Sequence, residues 1–314
     1  MIDAKDFRNP EYCAEIKKSN LHLLAMMRGG FQFATPDKPF FPYTSGEIGN
    51  YYVQAGVVMK DGVAFKHALD SMTGLVERTF LDRRMGHQTQ ETGFVSGGES
   101  RDWIFSQAVA ANLELPHMMI YKDGKVVGFN PADFGVARSS GIHVADLNNE
   151  GSSVRDKWLP TIRKLGGGLN DVFFYVDRME DGVKVVEELG LRRHAVVELD
   201  GEAWQYLRGQ AFVSEAQYES LMERLEDKEE WARSTLRTPN GILTLAGLLI
   251  DYRTRAKGEK ILNVGYPDMR EELREPLVGA GVRSSSGVEF VDADDGRLIV
   301  KDIQTKFLDE EQGR

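Results

Sequence analysis

The sequence has little of several residue types that particular functions need in quantity. It contains one cysteine, Cys13, which excludes an internal disulfide and a zinc site built from several cysteines. Its six histidines are scattered along the chain, and no two stand at the His-x-x-x-His spacing of a helical metal site. No built-in metal site is therefore predicted.

Long apolar runs and excess positive charge are also missing. No segment approaches the roughly 20 apolar residues that cross a membrane, and the opening MIDAKDFRNPEY lacks the apolar core of a signal peptide. The 39 lysines and arginines stand against 49 aspartates and glutamates, which leaves a formal charge of -10. Neither nucleic acid nor an anionic membrane is expected as a partner. A cytoplasmic location is expected.

What the sequence does contain is a regular alternation of strand-like and helix-like segments in its middle part. Such alternation predicts an α/β fold in which a mostly parallel sheet is flanked by helices. Ligands of these sheets bind at the carboxyl ends of the strands, so the loops that follow them are the candidate sites. The predicted strands are 94–96, 117–121, 141–145, 171–176 and 194–199.

The pattern changes after about residue 208, which predicts two domains, 1–208 and 209–314. The second reads as an α+β extension of unknown role. Ser214 and Gln217 form a capping box for a charged helix over 214–236, and Pro239 begins a more apolar helix. A strand over 260–264 and a hairpin that turns at 294–296 are predicted to follow.

Four segments between about 40 and 208 stand in a recognisable order. In sequence they are Thr44-Ser45-Gly46 with Asn50-Tyr51-Tyr52, Tyr121-Lys122-Asp123-Gly124-Lys125 with Gly128, Ile142 to Ser153, and Val176-Asp177-Arg178. Together they resemble orotate phosphoribosyltransferase, a type I phosphoribosyltransferase, over about half of the chain. The resemblance implies a phosphoribosyltransferase-like fold, a homodimer, a role in nucleotide metabolism and a site for phosphoribosyl pyrophosphate with Mg²⁺.

The ribose-phosphate segment departs from the pattern that the resemblance implies. Two adjacent carboxylates would bind the ribose hydroxyls, but Ala145 replaces the first and only Asp146 remains. A small polar loop would then cradle the 5′-phosphate at a helix N-terminus. Gly151, Ser152 and Ser153 keep this character, whereas Asn149 and Glu150 replace hydroxyl residues. A carboxylate 4 Å from a phosphate opposes its binding by roughly 1 to 4 kcal/mol, unless Glu150 turns into solvent.

The remaining candidates belong to the pyrophosphate and the base. The resemblance implies that Lys122 and Lys125 stabilise the leaving pyrophosphate, and Arg101 stands where another cation would reach it. A lysine-bearing surface turn explains the lysines equally well, and Glu99 and Asp102 can neutralise Arg101.

For the base, the resemblance implies Arg178, with Thr44 and Tyr52 in the entry segment. Thr44 stands where the family has a lysine, which disfavours a carboxylated pyrimidine such as orotate. Asp177 can instead hold Arg178 in a structural ion pair.

These residues leave more than one function open. One is a transferase of the phosphoribosyltransferase type that acts on a ribosyl phosphate or nucleotide, a small-molecule ligand bound at 145–153. A second is a catalytically inactive relative that serves as a nucleotide-binding, nucleoside-binding or protein-interaction module. A third is another reaction on a ribosyl ligand without a 5′-phosphate, in which Glu150 accepts a hydroxyl. The retained Asp146, Lys122, Lys125 and Arg178 favour the first.

Overall fold

The computed structural model describes residues 10–85, 92–133, 140–282, 288–293 and 295–302. Packing divides them into two compact units. The first comprises the described residues of Met1–Phe31 and Val53–Phe212, and the second those of Gln32–Tyr52 and Val213–Arg314. Residues 32–52 precede the predicted boundary at 208 but pack within the second unit.

Helices and strands alternate through the first unit, and helices dominate the second. The helices are α1 (Pro10–Met26), α2 (Gly62–Met85), α3 (Asp102–Asn112), α4 (Leu159–Lys164), α5 (Asp181–Glu188), α6 (Gly201–Gly209), α7 (Glu215–Glu226), α8 (Lys228–Arg237), α9 (Pro239–Ile250), α10 (Arg255–Lys260) and α11 (Arg270–Gly279). The strands are β1 (Phe31–Phe33), β2 (Phe41–Pro42), β3 (Ile48–Gly49), β4 (Tyr51–Val53), β5 (Phe94–Gly98), β6 (His117–Ile120), β7 (Val126–Gly128), β8 (Ser140–Asn148), β9 (Gly168–Asp177), β10 (Arg192–Glu198), β11 (Val288–Asp292) and β12 (Leu298–Asp302). None of the described helices is long and apolar enough to cross a membrane.

The first unit is built on a six-stranded sheet with the order β10-β9-β8-β5-β6-β7. Five strands are parallel, and β7 runs antiparallel to β6. The central β9 is buried along Val172–Val176, as expected for a parallel strand covered on both faces. The predicted α/β class with a mostly parallel sheet is confirmed.

An apolar cluster on one side of this sheet contains Ala145 of β8. Around it pack Val154 and Trp158 of a π-helical segment, Val154–Trp158, that continues into α4, together with Val186 of α5. Ala145 is 4% exposed. Because side chains alternate along a strand, the next residue, Asp146, points to the opposite face.

The second unit has a core of its own, formed mainly by α8 to α11 with Phe40 and Ile48. The Ser214–Gln217 capping box is present at the start of α7. The helix predicted over 214–236 is broken at Asp227, whose side chain accepts hydrogen bonds from the first amides of α8. An aspartate side chain can accept hydrogen bonds from nearby backbone amides, so aspartate favours a helix N-cap over a helix interior.

The predicted strand over 260–264 is wrong. These residues continue α10 as a π-helical segment, Ile261–Gly265. Ile261 and Leu262 are both fully buried in the core of the unit, whereas neighbouring residues of a strand point to opposite faces. Packing against the rest of the core has overridden the β-branched composition. At the predicted turn, β11 and β12 pair antiparallel; Asp294 lies outside the described residues.

Candidate functional site

The sheet of the first unit changes its direction of winding between β5 and β8. From β5 the chain proceeds to β6 on one side, and from β8 it proceeds to β9 and β10 on the other. Open α/β sheets bind ligands at such a switch point, outside the carboxyl ends of the strands. Two carboxylates flank it here. Asp146 lies near the end of β8, and Asp102 begins α3, which follows β5.

Asp146 is a buried carboxyl group with few hydrogen-bond donors or cations to stabilise a negative charge. Its Oδ2 atom accepts no hydrogen bond from the described part of the chain, and the nearest cation is Arg101, whose Nε lies 3.6 Å away. Burial raises the pKa of Asp146 to about 7; the negative charge of Asp102 raises it too, and Arg101 lowers it. This side chain is therefore poised to accept or to donate a proton at neutral pH.

Asp102 is fixed by the main chain on both sides of the switch point. Its Oδ2 accepts a hydrogen bond of 3.1 Å from the Gly98 amide, and its Oδ1 accepts one of 3.1 Å from the Asp146 amide. Residue 98 has room for glycine but not for a larger residue, because a Cβ there would lie 2.2 Å from the Trp158 ring. From the sequence, Asp102 is only an acidic neighbour of Arg101. Its partnership with Asp146 depends on tertiary structure.

A buried histidine stands behind Asp102. His143 is fully buried, its Nδ1 lies 3.0 Å from Ser96 Oγ, and Ser96 Oγ donates its proton to the Ile142 carbonyl. His143 Nδ1 is then the donor to Ser96, which leaves a lone pair on Nε2 in the neutral ring. That Nε2 lies 3.6 Å from Asp102 Oδ2. The expected strand position of His143 is found, and it adds a titratable group to the site.

The loop after β8 carries acidic and amide side chains at the carboxyl end of that strand. Gly151 adopts φ +67°, and a Cβ there would lie 2.9 Å from Val185, so the turn requires glycine. Asn149 Nδ2 donates to Glu150 Oε1 over 3.4 Å. Glu150 also raises the pKa of Arg155, although less than Asp156 does. The Glu150 carboxylate thus contacts Asn149 of the same loop, at the predicted cradle.

The unsatisfied buried groups of this loop and strand share one property. Asp146 Oδ2, Asn148 Oδ1 and Asn149 Oδ1 are all acceptors, and none receives a hydrogen bond from the residues described. Asn148 uses its amide nitrogen on Asp177 Oδ2 at 3.0 Å. Buried polar atoms are almost always satisfied in a functional state. A group that offers hydroxyl or N–H donors would complement this edge.

Comparison with known proteins was informative only at the level of structure. No family model matches the sequence, and no curated protein does. UMP synthase from Leishmania donovani aligns with 69% of this chain and 45% of its own length, at 15% identity and a TM-score of 0.52. Orotate phosphoribosyltransferases from Aeropyrum pernix and Francisella tularensis align at 17% and 14% identity, over 63% and 65% of this chain and 99% and 96% of theirs, with TM-scores of 0.45 and 0.47. The fold is that of the phosphoribosyltransferases.

Within this phosphoribosyltransferase fold, the predicted cations have different surroundings. Arg101 reaches Asp146. Lys122 and Lys125 lie on the exposed turn between β6 and β7, where the Lys122 amide donates to Glu99 Oε2 at 2.8 Å. The Lys125 ammonium lies 5.7 Å from the centre of the Tyr121 ring. The turn is thus tied to the Arg101 loop through Glu99, and their leaving-group role stays a prediction.

Arg178 is the predicted base residue that lies in the first unit. Arg178 is 4% exposed, and its guanidinium donates to Glu180 Oε1 at 2.7 Å. Asp177, the alternative partner considered for Arg178, pairs with Arg193 at 3.1 Å. Arg178 follows β9 directly and donates its amide to the Asn148 carbonyl at 3.1 Å. Its charge is already matched by Glu180.

Thr44 and Tyr52 belong to the second unit. The Thr44 carbonyl accepts a hydrogen bond from Lys260 Nζ, and the Tyr52 ring lies 6.4 Å from that of Phe41. Both are explained by packing within that unit, and their role towards a base stays a prediction. Among the residues that the structure describes, no three His, Cys, Asp or Glu side chains are grouped so that they could hold a metal ion.

Proposed function

We propose that the first unit binds a ribosyl phosphate or nucleotide at the 145–153 loop and acts as a transferase of the phosphoribosyltransferase type. The observation that carries the proposal is the buried Asp146 Oδ2, which lacks a hydrogen-bond donor at the switch point of the sheet. A ribose hydroxyl is a donor of suitable size and chemistry. The acceptors of Asn148 and Asn149 on the same strand end support a ligand with several such groups.

The anionic part of the ligand would meet the exposed cations and the loop. Arg101, Lys122 and Lys125 are available for a diphosphate. Ser152 and Ser153 offer hydroxyl groups, and the first amides of the helical segment they open lack intrahelical partners. Mg²⁺ would come with the diphosphate and neutralise part of its charge.

A second candidate is a relative that binds a nucleoside or nucleotide without transferring a group. It is favoured by Glu150, whose carboxylate remains at the cradle on Asn149 and opposes a phosphate at about 4 Å by roughly 1 to 4 kcal/mol. Ala145 adds to this, because it offers no hydrogen bond to a ribose hydroxyl.

Calorimetric titration separates the two candidates. The full chain is titrated with phosphoribosyl pyrophosphate and Mg²⁺, with uridine 5′-monophosphate and with uridine. The matched variants are Asp146→Asn and Asp70→Asn, the latter on α2 where Asp70 pairs with Lys66. Micromolar binding of phosphoribosyl pyrophosphate that Asp146→Asn abolishes and Asp70→Asn preserves supports the transferase. Binding of uridine alone supports the second candidate, and no binding of any of the three overturns both.

A further inference from the structure

The site has a second carboxylate that does not come from β8. Ala145 carries none, and its methyl group is enclosed by the apolar cluster that contains Val154 and Trp158. Asp146 nevertheless has a carboxylate beside it, because the start of α3 brings Asp102 across the switch point. The bond from the Asp146 amide to Asp102 Oδ1 links residues 44 apart in the sequence.

The two carboxyl groups are held in different ways. Asp102 accepts N–H bonds from Gly98 and Asp146, one on each oxygen. Asp146 Oδ2 has no donor among the described residues. Two buried carboxylates in contact disfavour double ionisation. Burial and the adjacent Asp102 carboxylate therefore favour the protonated form of Asp146.

The other charged groups around the pair do not remove this coupling. Arg101 faces Asp146 at 3.6 Å but is largely exposed, so solvent weakens its effect. His143 on β8 faces Asp102 rather than Asp146. On β9, which lies beside β8, Asp177 is already paired with Arg193. Of the charged groups described here, Asp102 is the one bonded to Asp146 through the backbone.

We propose that Asp102 is a positioning residue that completes the ligand site in place of a carboxylate at 145, by fixing the strand end at Asp146 and placing a second carboxylate beside it. This rests on the proposed function, since the ligand is taken to donate a hydroxyl to Asp146. A carboxylate accepts a hydroxyl hydrogen bond more strongly than a neutral carboxyl group does, so such a ligand favours the ionised form of Asp146. When such a ligand binds below neutral pH, Asp146 releases its proton to solvent and accepts the hydroxyl hydrogen bond instead.

The proposal predicts a pH dependence that a purely structural role of Asp102 would not produce. For the wild-type chain, the dissociation constant of phosphoribosyl pyrophosphate with Mg²⁺ falls about tenfold per pH unit as pH rises towards 7, then levels. Calorimetry in buffers of different ionisation enthalpy should report close to one proton released at pH 6. Removing the charge at 102 moves the break to lower pH, because Asp102 raises the pKa of Asp146.

The test uses the full chain and a readout that needs no ligand. The titration of Asp146 is followed by carbon NMR of its carboxyl group in the wild type, Asp102→Asn, Asp102→Ser and Asp102→Glu, with Asp70→Asn as control. Two uncharged variants are used because asparagine keeps one acceptor oxygen and replaces the other with an NH₂ group, whereas serine keeps a single hydroxyl on a shorter side chain. Both should lower the titration midpoint of Asp146, and Asp102→Glu and Asp70→Asn should leave it within a few tenths of a pH unit.

The outcomes distinguish this proposal from the proposed function. An unchanged midpoint in both uncharged variants, with phosphoribosyl pyrophosphate still bound by the wild type, overturns the role of Asp102 alone. A lowered midpoint with no ribosyl ligand bound by any variant overturns the proposed function, and with it the ligand role of the pair. A lowered midpoint together with a shifted pH dependence of binding supports both.

Discussion

Asp146 is the residue whose environment departs most from what its side chain prefers. It is buried, lacks a donor for Oδ2 within the described chain and lies against a second carboxylate. Its pKa is raised to about 7 from the ordinary 3.8. A folded-state pKa above the unfolded value means that the folded state binds the proton more tightly. The free energy of unfolding therefore falls as pH rises from about 4 to 7.

Asp146→Asn should remove this fall in the free energy of unfolding with rising pH, because the amide side chain carries no charge. At pH 8 the variant should unfold with a free energy up to roughly 4 kcal/mol above the wild type, and at pH 4 the two should be nearly equal. Urea unfolding at both pH values is the measurement. Asp70→Asn, a control on α2 of the same unit at a partly exposed position, should show no such difference; equal stability of Asp146→Asn and wild type at pH 8 would contradict the buried, charged state.

The apolar surroundings of Ala145 oppose the introduction of a second carboxylate next to Asp146 on β8. Its side chain faces Val154, Trp158 and Val186, so Ala145→Asp would place a carboxylate among apolar groups instead of beside Asp146. The variant should lose at least about 2 kcal/mol of unfolding free energy and gain no affinity for a ribosyl ligand. Ala145→Ser is the small polar control and should lose less. A stable Ala145→Asp protein with tighter binding would show that residue 145 faces the ligand.

The sequence identified Asp146 but could not identify its partner. The resemblance aligns positions along one strand and loop, so it finds Asp146 and the substitution at Ala145. Asp102 becomes part of the site only because β5 and β8 pair, with Ser96 opposite His143, and this register is a tertiary property. The same limit applies to Arg178, whose neutralising partner is Glu180 rather than the expected Asp177.

At the scale of elements, the loop after β8 carries the proposed ligand site. The turn at Gly151 and the helical segment after it keep the form of an anion cradle, but Glu150 places a carboxylate in it. Glu150→Gln keeps the shape and removes the charge. Affinity for ribose 5-phosphate should rise at least about fivefold, which corresponds to about 1 kcal/mol.

Calorimetry at low ionic strength is the measurement for this variant, because screening is weakest there. Glu187→Gln, an exposed change on α5, is the matched control and should leave the affinity unchanged. Affinity for uridine, which has no phosphate, should also be unaffected by Glu150→Gln. If ribose 5-phosphate binds equally well to wild type and Glu150→Gln, the Glu150 carboxylate lies away from the phosphate.

The elements that the sequence predicted correctly are those with a strong local signal. The buried parallel strands are continuous apolar runs, and β8 and β9 were found although both extend beyond their predicted ends. The cap of α7 was predicted correctly because Ser214 and Gln217, which form its two reciprocal hydrogen bonds, are only three residues apart in the sequence. The segment 261–265 was assigned wrongly because its helical state depends on core packing rather than on local composition.

At the scale of the whole molecule, residues 32–52 link distant parts of the sequence within the second unit. Asn50 donates to the Ser220 carbonyl at 2.8 Å, Glu47 pairs with Lys228 at 2.8 Å, and Asn240 donates to the Pro36 carbonyl at 2.9 Å. These bonds span 170 to 204 residues. No periodicity in 32–52 reveals such partners, which is why a boundary based on composition separates the segment from residues 213–314.

This division predicts how a core defect should spread. Leu245 is fully buried in the cluster that contains Phe40 and Ile48, and Ile162 is fully buried in the cluster under the first unit's sheet. Each substitution to alanine should cost about 2 to 5 kcal/mol. Native-state hydrogen exchange of the full chain is the measurement.

Leu245→Ala should accelerate exchange of the Ala34 and Tyr43 amides, which bond the Asn50 and Glu47 carbonyls, and should affect the β8 and β9 amides less. Ile162→Ala is the matched control and should give the reverse pattern, because Ile162 packs with Ala145 and Val172 of those strands. If Ile162→Ala accelerates the Ala34 and Tyr43 amides and Leu245→Ala does not, residues 32–52 derive their stability from the first unit, and the division at 208 predicted from composition describes the folding units better than the packing does.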